Sequence, residues 1–145
     1  MPRRAKREPK SHSIHLLDTN VILRFLIGDD PAKARRAILL MESVEQGREI
    51  VEISEAVLTE TVWTLEKFYK VPRPEIVQKL ISILSFKGVR MSSREALILA
   101  LQHFADSRAD FVDCLLGAIS KLRKVPIYTF DETDFPKLGV DWKPP

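Results

Sequence analysis

Residues 13–31 read SIHLLDTNVILRFLIGDDP, and their pattern decides the fold class. Ile14, Leu16 and Leu17 form an apolar run of strand length that stops at Asp18, Thr19 and Asn20. Val21, Ile22, Phe25 and Leu26 then recur at helical spacing, with Arg24 off that face and Gly28 as a stop before Asp29-Asp30-Pro31. A buried strand that runs straight into a helix is the unit of a parallel α/β sheet. The carboxyl edge of such a sheet is where ligands bind. Asp18 stands at that edge, where it either caps the helix or carries chemistry.

Working outward, the same alternation recurs. Ala34, Ile38, Met41 and Val44 mark an amphipathic helix ended by Gly47, and Ile50–Ser54 follows as a strand. Between Glu55 and Tyr69 one stripe carries Leu58, Val62, Leu65 and Tyr69 and a neighbouring one Val57, Thr61, Thr64 and Phe68, so this helix is expected to be covered on two sides. Glu60, at the edge of the second stripe, is expected to be partly buried and in need of a partner or a cation. Pro72 and Pro74 break the chain before a helix to Phe86, and Val89 and Met91 mark a short strand. Two further helices follow, the second with Phe111, Leu115, Ala118, Ile119 and Leu122 on one face and Asp110, Asp113 and Gly117 on the other. Val125–Phe130 is the clearest strand after the first, and it too ends in an acid, Asp131, with Asp134 three residues on. A last short strand closes near Trp142. The order points to a parallel sheet with helices on both faces.

At 145 residues, 45% hydrophobic and 30% charged, the chain is of a size and composition for one globular domain, expected over 14–145. The net charge of +3 is concentrated: Arg3, Arg4, Lys6, Arg7 and Lys10 face only Glu8 within residues 1–13. That stretch reads as a disordered basic tail, a solubilising one or one that adds attraction to nucleic-acid phosphates. The single cysteine, Cys114, permits no disulfide within the chain and reads as a small core residue. No apolar stretch is long enough to span a bilayer and the basic N-terminus lacks the apolar segment of a secretory signal, so a cytoplasmic protein without a membrane partner is expected.

Asp18 and Asp131 follow the two clearest strands, so in one parallel sheet both sit at the same edge, and Glu60 and Asp113 lie on crossovers that pass beside it. Four carboxylates converging raise one another's pKa values unless a cation joins them. With oxygen donors and neither His nor Cys at ligand spacing, that cation is expected to be Mg²⁺ or Mn²⁺. Such a site activates water against a phosphodiester. Glu55, Glu66, Asp29, Asp30 and Glu132 read as solvated charges, and His12, His15 and His103 have no ligand spacing.

The motifs DTNVIL at Asp18, LTETVWTL at Glu60, ADFVDCLLGAIS at Asp113 and TFDETDF at Asp131 resemble those of PIN-domain ribonucleases, in particular the VapC-type toxins of toxin–antitoxin pairs. The resemblance spans residues 14–142. It implies a five-stranded parallel sheet, a divalent-metal site, cleavage of RNA, a homodimer and inhibition by a small antitoxin. It implies Asp18, Glu60, Asp113 and Asp131 as the central acids, Asp134 as an additional one, and Thr19, Asn20 and Thr129 as supports. Asp18 and Asp113 are expected to be the most direct ligands, Asp131 a second or water-held one, and Glu60 a ligand or the group orienting the attacking water. Asp110 reads as a helix N-terminal acid or a further site member. The exposed face of the helices over residues 55–69 and 75–86 is the expected dimer interface. Two other readings stand beside this one. A phosphotransferase with an aspartyl nucleophile is weakened by Asn20, where such enzymes would want a second acid; a catalytically silent PIN-like RNA-binding or scaffold module is argued against by the full set of acids.

Overall fold

The computed structural model describes residues 13–145, so the basic tail lies outside the described residues but for Ser13. The chain runs β1 (Ile14–Leu16), α1 (Thr19–Ile27), α2 (Pro31–Glu45), β2 (Ile50–Glu52), α3 (Glu55–Trp63), α4 (Arg73–Leu84), β3 (Val89–Arg90), α5 (Arg94–Asp106), α6 (Phe111–Arg123), β4 (Ile127–Tyr128), α7 (Asp134–Leu138) and β5 (Trp142–Lys143). A π-helical turn over Thr64–Phe68 prolongs α3. Local chemistry sets the helix starts: Asp30 accepts from the Lys33 amide at 3.1 Å with Pro31 at the first helical position, and Ser54 accepts from the Val57 amide at 3.2 Å.

β1, β2 and β3 form a parallel sheet in that order, with Ile14 opposite Ile50 and Val51 opposite Val89. All the described strands pair in parallel, in agreement with the sequence pattern. The expectation of one five-stranded sheet is not met: β4 and β5 pair with each other in a second sheet, Ile127 opposite Trp142. The cause lies at the end of α6. Lys124 adopts a left-handed conformation, the Val125 amide bonds back to Ser120 O at 3.2 Å, and the Val125 carbonyl accepts from the Ser120 hydroxyl. Pro126 has no N–H to donate. The expected strand over 125–130 therefore shrinks to Ile127–Tyr128, β1 keeps an open outer edge, and Leu16 and Phe130 stay 81% and 87% exposed.

The core is continuous across the sheet and helices, with Ile22, Met41, Ile53, Leu80, Leu101 and Phe104 among its fully buried side chains and Cys114 buried as expected. Helix α5 packs on α4 and α6, and α3 on α1 and α6. Two sequence expectations fail here. Ile38 faces outward and Ala37 is buried in its place, and Glu60, expected to be partly buried, is exposed, although both stripes of α3 are covered, with Leu58 and Val62 buried in one and Thr61 in the other. Phe68 is exposed as well, because the wide π turn breaks the 3.6-residue spacing that would align it with Thr61.

Glu66, expected to be a solvated charge, is instead largely buried in an ion pair: Arg73 Nε lies 2.7 Å from its Oε2 and Lys67 Nζ 2.8 Å from its Oε1. The Arg73 guanidinium lies 4.0 Å from the centre of the Phe104 ring, and its Nη1 donates to Ser107 O at 3.0 Å and Ala109 O at 2.7 Å. One side chain thus pins the loop between α5 and α6. Burial alone would raise the Glu66 pKa, but the hydrogen bonds from Lys67 and Arg73 outweigh it and lower the net value. Asp29 and Asp30 are engaged too, Asp29 with Arg24 and the Tyr69 hydroxyl and Asp30 as the cap of α2.

Gly88 precedes β3 at the amino end of the sheet, where an added Cβ would meet Glu49 O at 2.0 Å and Val44 O at 2.7 Å. Both neighbours are backbone. Gly88→Ala is expected to cost about 1–3 kcal/mol in urea unfolding through this overlap. Arg73→Ala, which strands the Glu66 carboxylate and the loop carbonyls, is expected to cost about 2–4 kcal/mol in the same measurement.

Candidate active site

Each carboxylate is placed by the element that carries it. Asp18 follows β1 and caps α1, its Oδ1 accepting the Thr19 amide at 2.8 Å. The capping role is therefore real, and the exposed carboxylate keeps a second oxygen for other partners. Thr19 is buried, and its hydroxyl donates to Glu60 Oε2 at 2.8 Å, which ties the end of β1 to α3. Asn20 is exposed and lines a groove between α1 and α2.

Asp131 lies in the segment between β4 and α7. The Thr129 hydroxyl accepts the Asp131 amide at 2.9 Å, and Asp131 Oδ1 accepts the amides of Thr133 at 2.8 Å and Asp134 at 3.0 Å. This turn aims Asp134 and Asp131 at Asp113 in the first turn of α6. Asp113, Asp131 and Asp134 each offer a carboxylate oxygen within 4.8 Å of the others. Among the described residues no other group of three or more acids, His or Cys meets that spacing. The structure thus gathers Asp113, Asp131 and Asp134, and Asp18 and Glu60 are not members of the group; β1 and β4 are not paired. Asp110 occupies the capping position of α6 without a side-chain capping bond.

Electrostatics separate the three. Backbone hydrogen bonds from Asp134 and Thr133 hold Asp131 below the ordinary carboxylate value. Burial holds Asp113 above it, with repulsion from Asp131, Asp134 and Asp110 adding to the rise. The donor set is all oxygen and its charge is uncompensated by a nearby cation, the chemistry that suits Mg²⁺ or Mn²⁺ over softer ions. Sequence reasoning gave Asp134 only a secondary place. The DxxD spacing was the signal, since the Asp131 carboxylate accepts the amide of the residue three positions on.

These features have a counterpart among known proteins. The PIN domain profile matches residues 15–140. The chain belongs to the PIN-domain family. A VapC ribonuclease of Aquifex aeolicus (strain VF5) is 28% identical over 124 residues, which cover 86% of this chain and 91% of that protein. The parallel strands and flanking helices are thus those of a PIN domain. No helix of the described residues is long and apolar enough to cross a membrane.

Because Asp113 is held above its ordinary value, its charged form costs folding stability. That cost is absent below the ordinary carboxyl value and fully present above the raised one. Asp113→Asn is therefore expected to raise the thermal midpoint in EDTA at pH 7, by an amount that vanishes as the pH falls below the carboxyl range, as followed by circular dichroism melts.

Proposed function

We propose that this PIN domain is a Mg²⁺- or Mn²⁺-dependent endoribonuclease and the toxin of a VapBC-type toxin–antitoxin pair. The observation that carries the reading is the Asp113–Asp131–Asp134 group, a set of oxygen donors at ligand spacing in a chain similar to a VapC ribonuclease. Asp113, Asp131 and Asp134 would hold the cation, and Asp18, which stands outside that group, is the further ligand this reading calls on. Bound there, a divalent cation would stabilise the charge that develops on the phosphate and lower the pKa of the attacking water. Glu60, one oxygen held by the Thr19 hydroxyl, orients that water with the other and accepts its proton. Asn20 and Thr129 support the two halves of the site.

Charge around the site supports an RNA substrate. Asn20 shares its groove of about 490 Å³ with Arg24, Lys33 and Arg36; Arg24 is paired with Asp29 and Lys33 lies 3.9 Å from Asp30, so Arg36 is the cation of this groove that would meet a phosphate. A small antitoxin covers the site in the resting pair, the protein acts in the cytoplasm as a homodimer, and residues 14–145 work as one domain.

One observation favours a second reading, a catalytically silent PIN-like RNA-binding or scaffold module: Glu60 is held by Thr19, Asp18 is held as a helix cap, and both stand apart from the acid group. Cleavage decides. Purified protein free of inhibitor is expected to cut a mixed RNA pool with Mg²⁺ or Mn²⁺ and not with EDTA. Asp18→Asn and Asp113→Asn are each expected to lower the rate by about a hundredfold or more with the fold intact. Metal-independent cutting, or undiminished rates in both variants, would sink the nuclease assignment.

A further inference from the structure

We propose that Tyr128 and Phe130 form a platform on which two successive unpaired nucleobases of the RNA stack beside the cleaved phosphate; this rests on the ribonuclease reading above. In the parallel pair β4–β5, Ile127 lies opposite Trp142 and Tyr128 opposite Lys143, and side chains in register share a face of the sheet. Ile127 is buried and Trp142 packs on the core, so Tyr128 and Lys143 take the outward face. The Thr129 amide still donates to Lys143 O at 3.0 Å, which carries the extended chain one residue past β4. Exposure alternates through the next residue: Tyr128 is 77% exposed, Thr129 partly buried and Phe130 87% exposed. Neither ring stacks on another aromatic among the described residues. Phe130 immediately precedes Asp131, so the bare rings begin at the candidate metal site.

Two open aromatic rings two positions apart are an apolar surface without a cover. The charges at its ends select the cover. Lys143, beside Tyr128, is exposed and forms no ion pair among the described residues. Asp141, two positions before it, lines a groove with Lys121 and Lys124, which sets two cations against that acid. At the other end Asp131 belongs to the group that would hold the cation, and Glu132 is an exposed acid next to it. With the cation bound, the row runs from a metal ion past two uncharged rings to a lysine. A ribonucleotide strand repeats that order, phosphate, bases, phosphate, and each base presents a π-face to a ring. Two positions of extended chain advance about 7 Å, about twice the rise of roughly 3.4 Å between stacked bases, so the strand lies stretched with one base on each ring. An apolar peptide matches the rings and neither charge. The face also lies on other elements than the helices over residues 55–69 and 75–86, which two copies of the chain are expected to share. A base that stacks here must leave a duplex, which makes single-stranded or looped RNA the substrate.

Both rings are exposed, so replacing them leaves the core untouched. With Asp18→Asn to stop turnover and Mg²⁺ present, binding of a labelled single-stranded oligoribonucleotide is followed by fluorescence anisotropy. Phe130→Ala and Tyr128→Ala are each expected to weaken binding about tenfold. Phe130→Tyr is expected to bind as its parent does, and Phe130→Leu, which keeps apolar bulk without a π-face, to lose as much as Phe130→Ala. Lys143→Ala is expected to flatten the slope of log affinity against log salt by about 0.7, a change that Phe130→Ala does not make. In protein that retains Asp18, Phe130→Ala is expected to raise KM on single-stranded RNA about tenfold with kcat little changed. Parental affinity in Phe130→Leu, or in both alanine variants, overturns the platform while leaving the nuclease standing. A Phe130→Ala protein that turns monomeric in sedimentation with unchanged RNA affinity overturns it too, and gives the face to a second copy of the chain. Wild-type protein that neither cuts nor binds RNA removes the ribonuclease reading, and the platform with it.

Discussion

The Arg73 guanidinium is the group on which the arrangement of the C-terminal half depends. It reaches across from the start of α4, stacks on Phe104, neutralises Glu66 and donates to the carbonyls left free where α5 ends. Those carbonyls belong to the loop between α5 and α6, where the Cys114 thiol at 3.8 Å from Ala109 O is a further donor. The loop so fixed feeds directly into α6, whose first turn carries Asp113 and Val112. The planar fork matters: a lysine has one point charge and could not serve a carboxylate, a ring face and several carbonyls at once.

Upon that scaffold the three acids are held by opposite means. Asp131 is stabilised as an anion by the amides it caps, while Asp113 is pressed toward its neutral form by burial and by its neighbours. One acid is ready-made and another is under tension. A cation arriving between them would relieve the second at little cost to the first, so the geometry stores an affinity for charge that the apo protein carries as lost stability.

Much of this was legible in the chain itself. Strand-length apolar runs ended by Asp18 and followed by helical spacing marked a parallel α/β unit, and Asp113 showed beside Gly117 on a helix face. What could not be read were effects that depend on one residue's geometry. A π turn leaves no trace in a 3.6-residue pattern, so Phe68 was misplaced. The Val125–Phe130 run had the composition of a strand, but Pro126 and the Ser120 contacts with Val125 remove its first residues from pairing. β1 and β4 then stay unpaired, and Asp18 is not a member of the group that holds Asp131. Arg73 was hidden for another reason: Phe104 and the carbonyls it serves lie more than thirty positions away, and no local period announces them.

Gly88 carries a consequence for how such a protein loses its activity under selection. It sits at the amino end of the sheet, far along the strands from the carboxyl edge where Asp18 lies, and its neighbours are backbone carbonyls that cannot step aside. On the toxin reading proposed above, changes at the acids and changes at Gly88 would both survive a growth selection for harmless variants, yet by separate routes. The first leave a full cellular level of folded, silent protein still able to occupy an inhibitor. The second deplete the protein and free whatever inhibitor it held. Two mutations equal in the survival they confer would therefore leave a cell with opposite reserves of antidote.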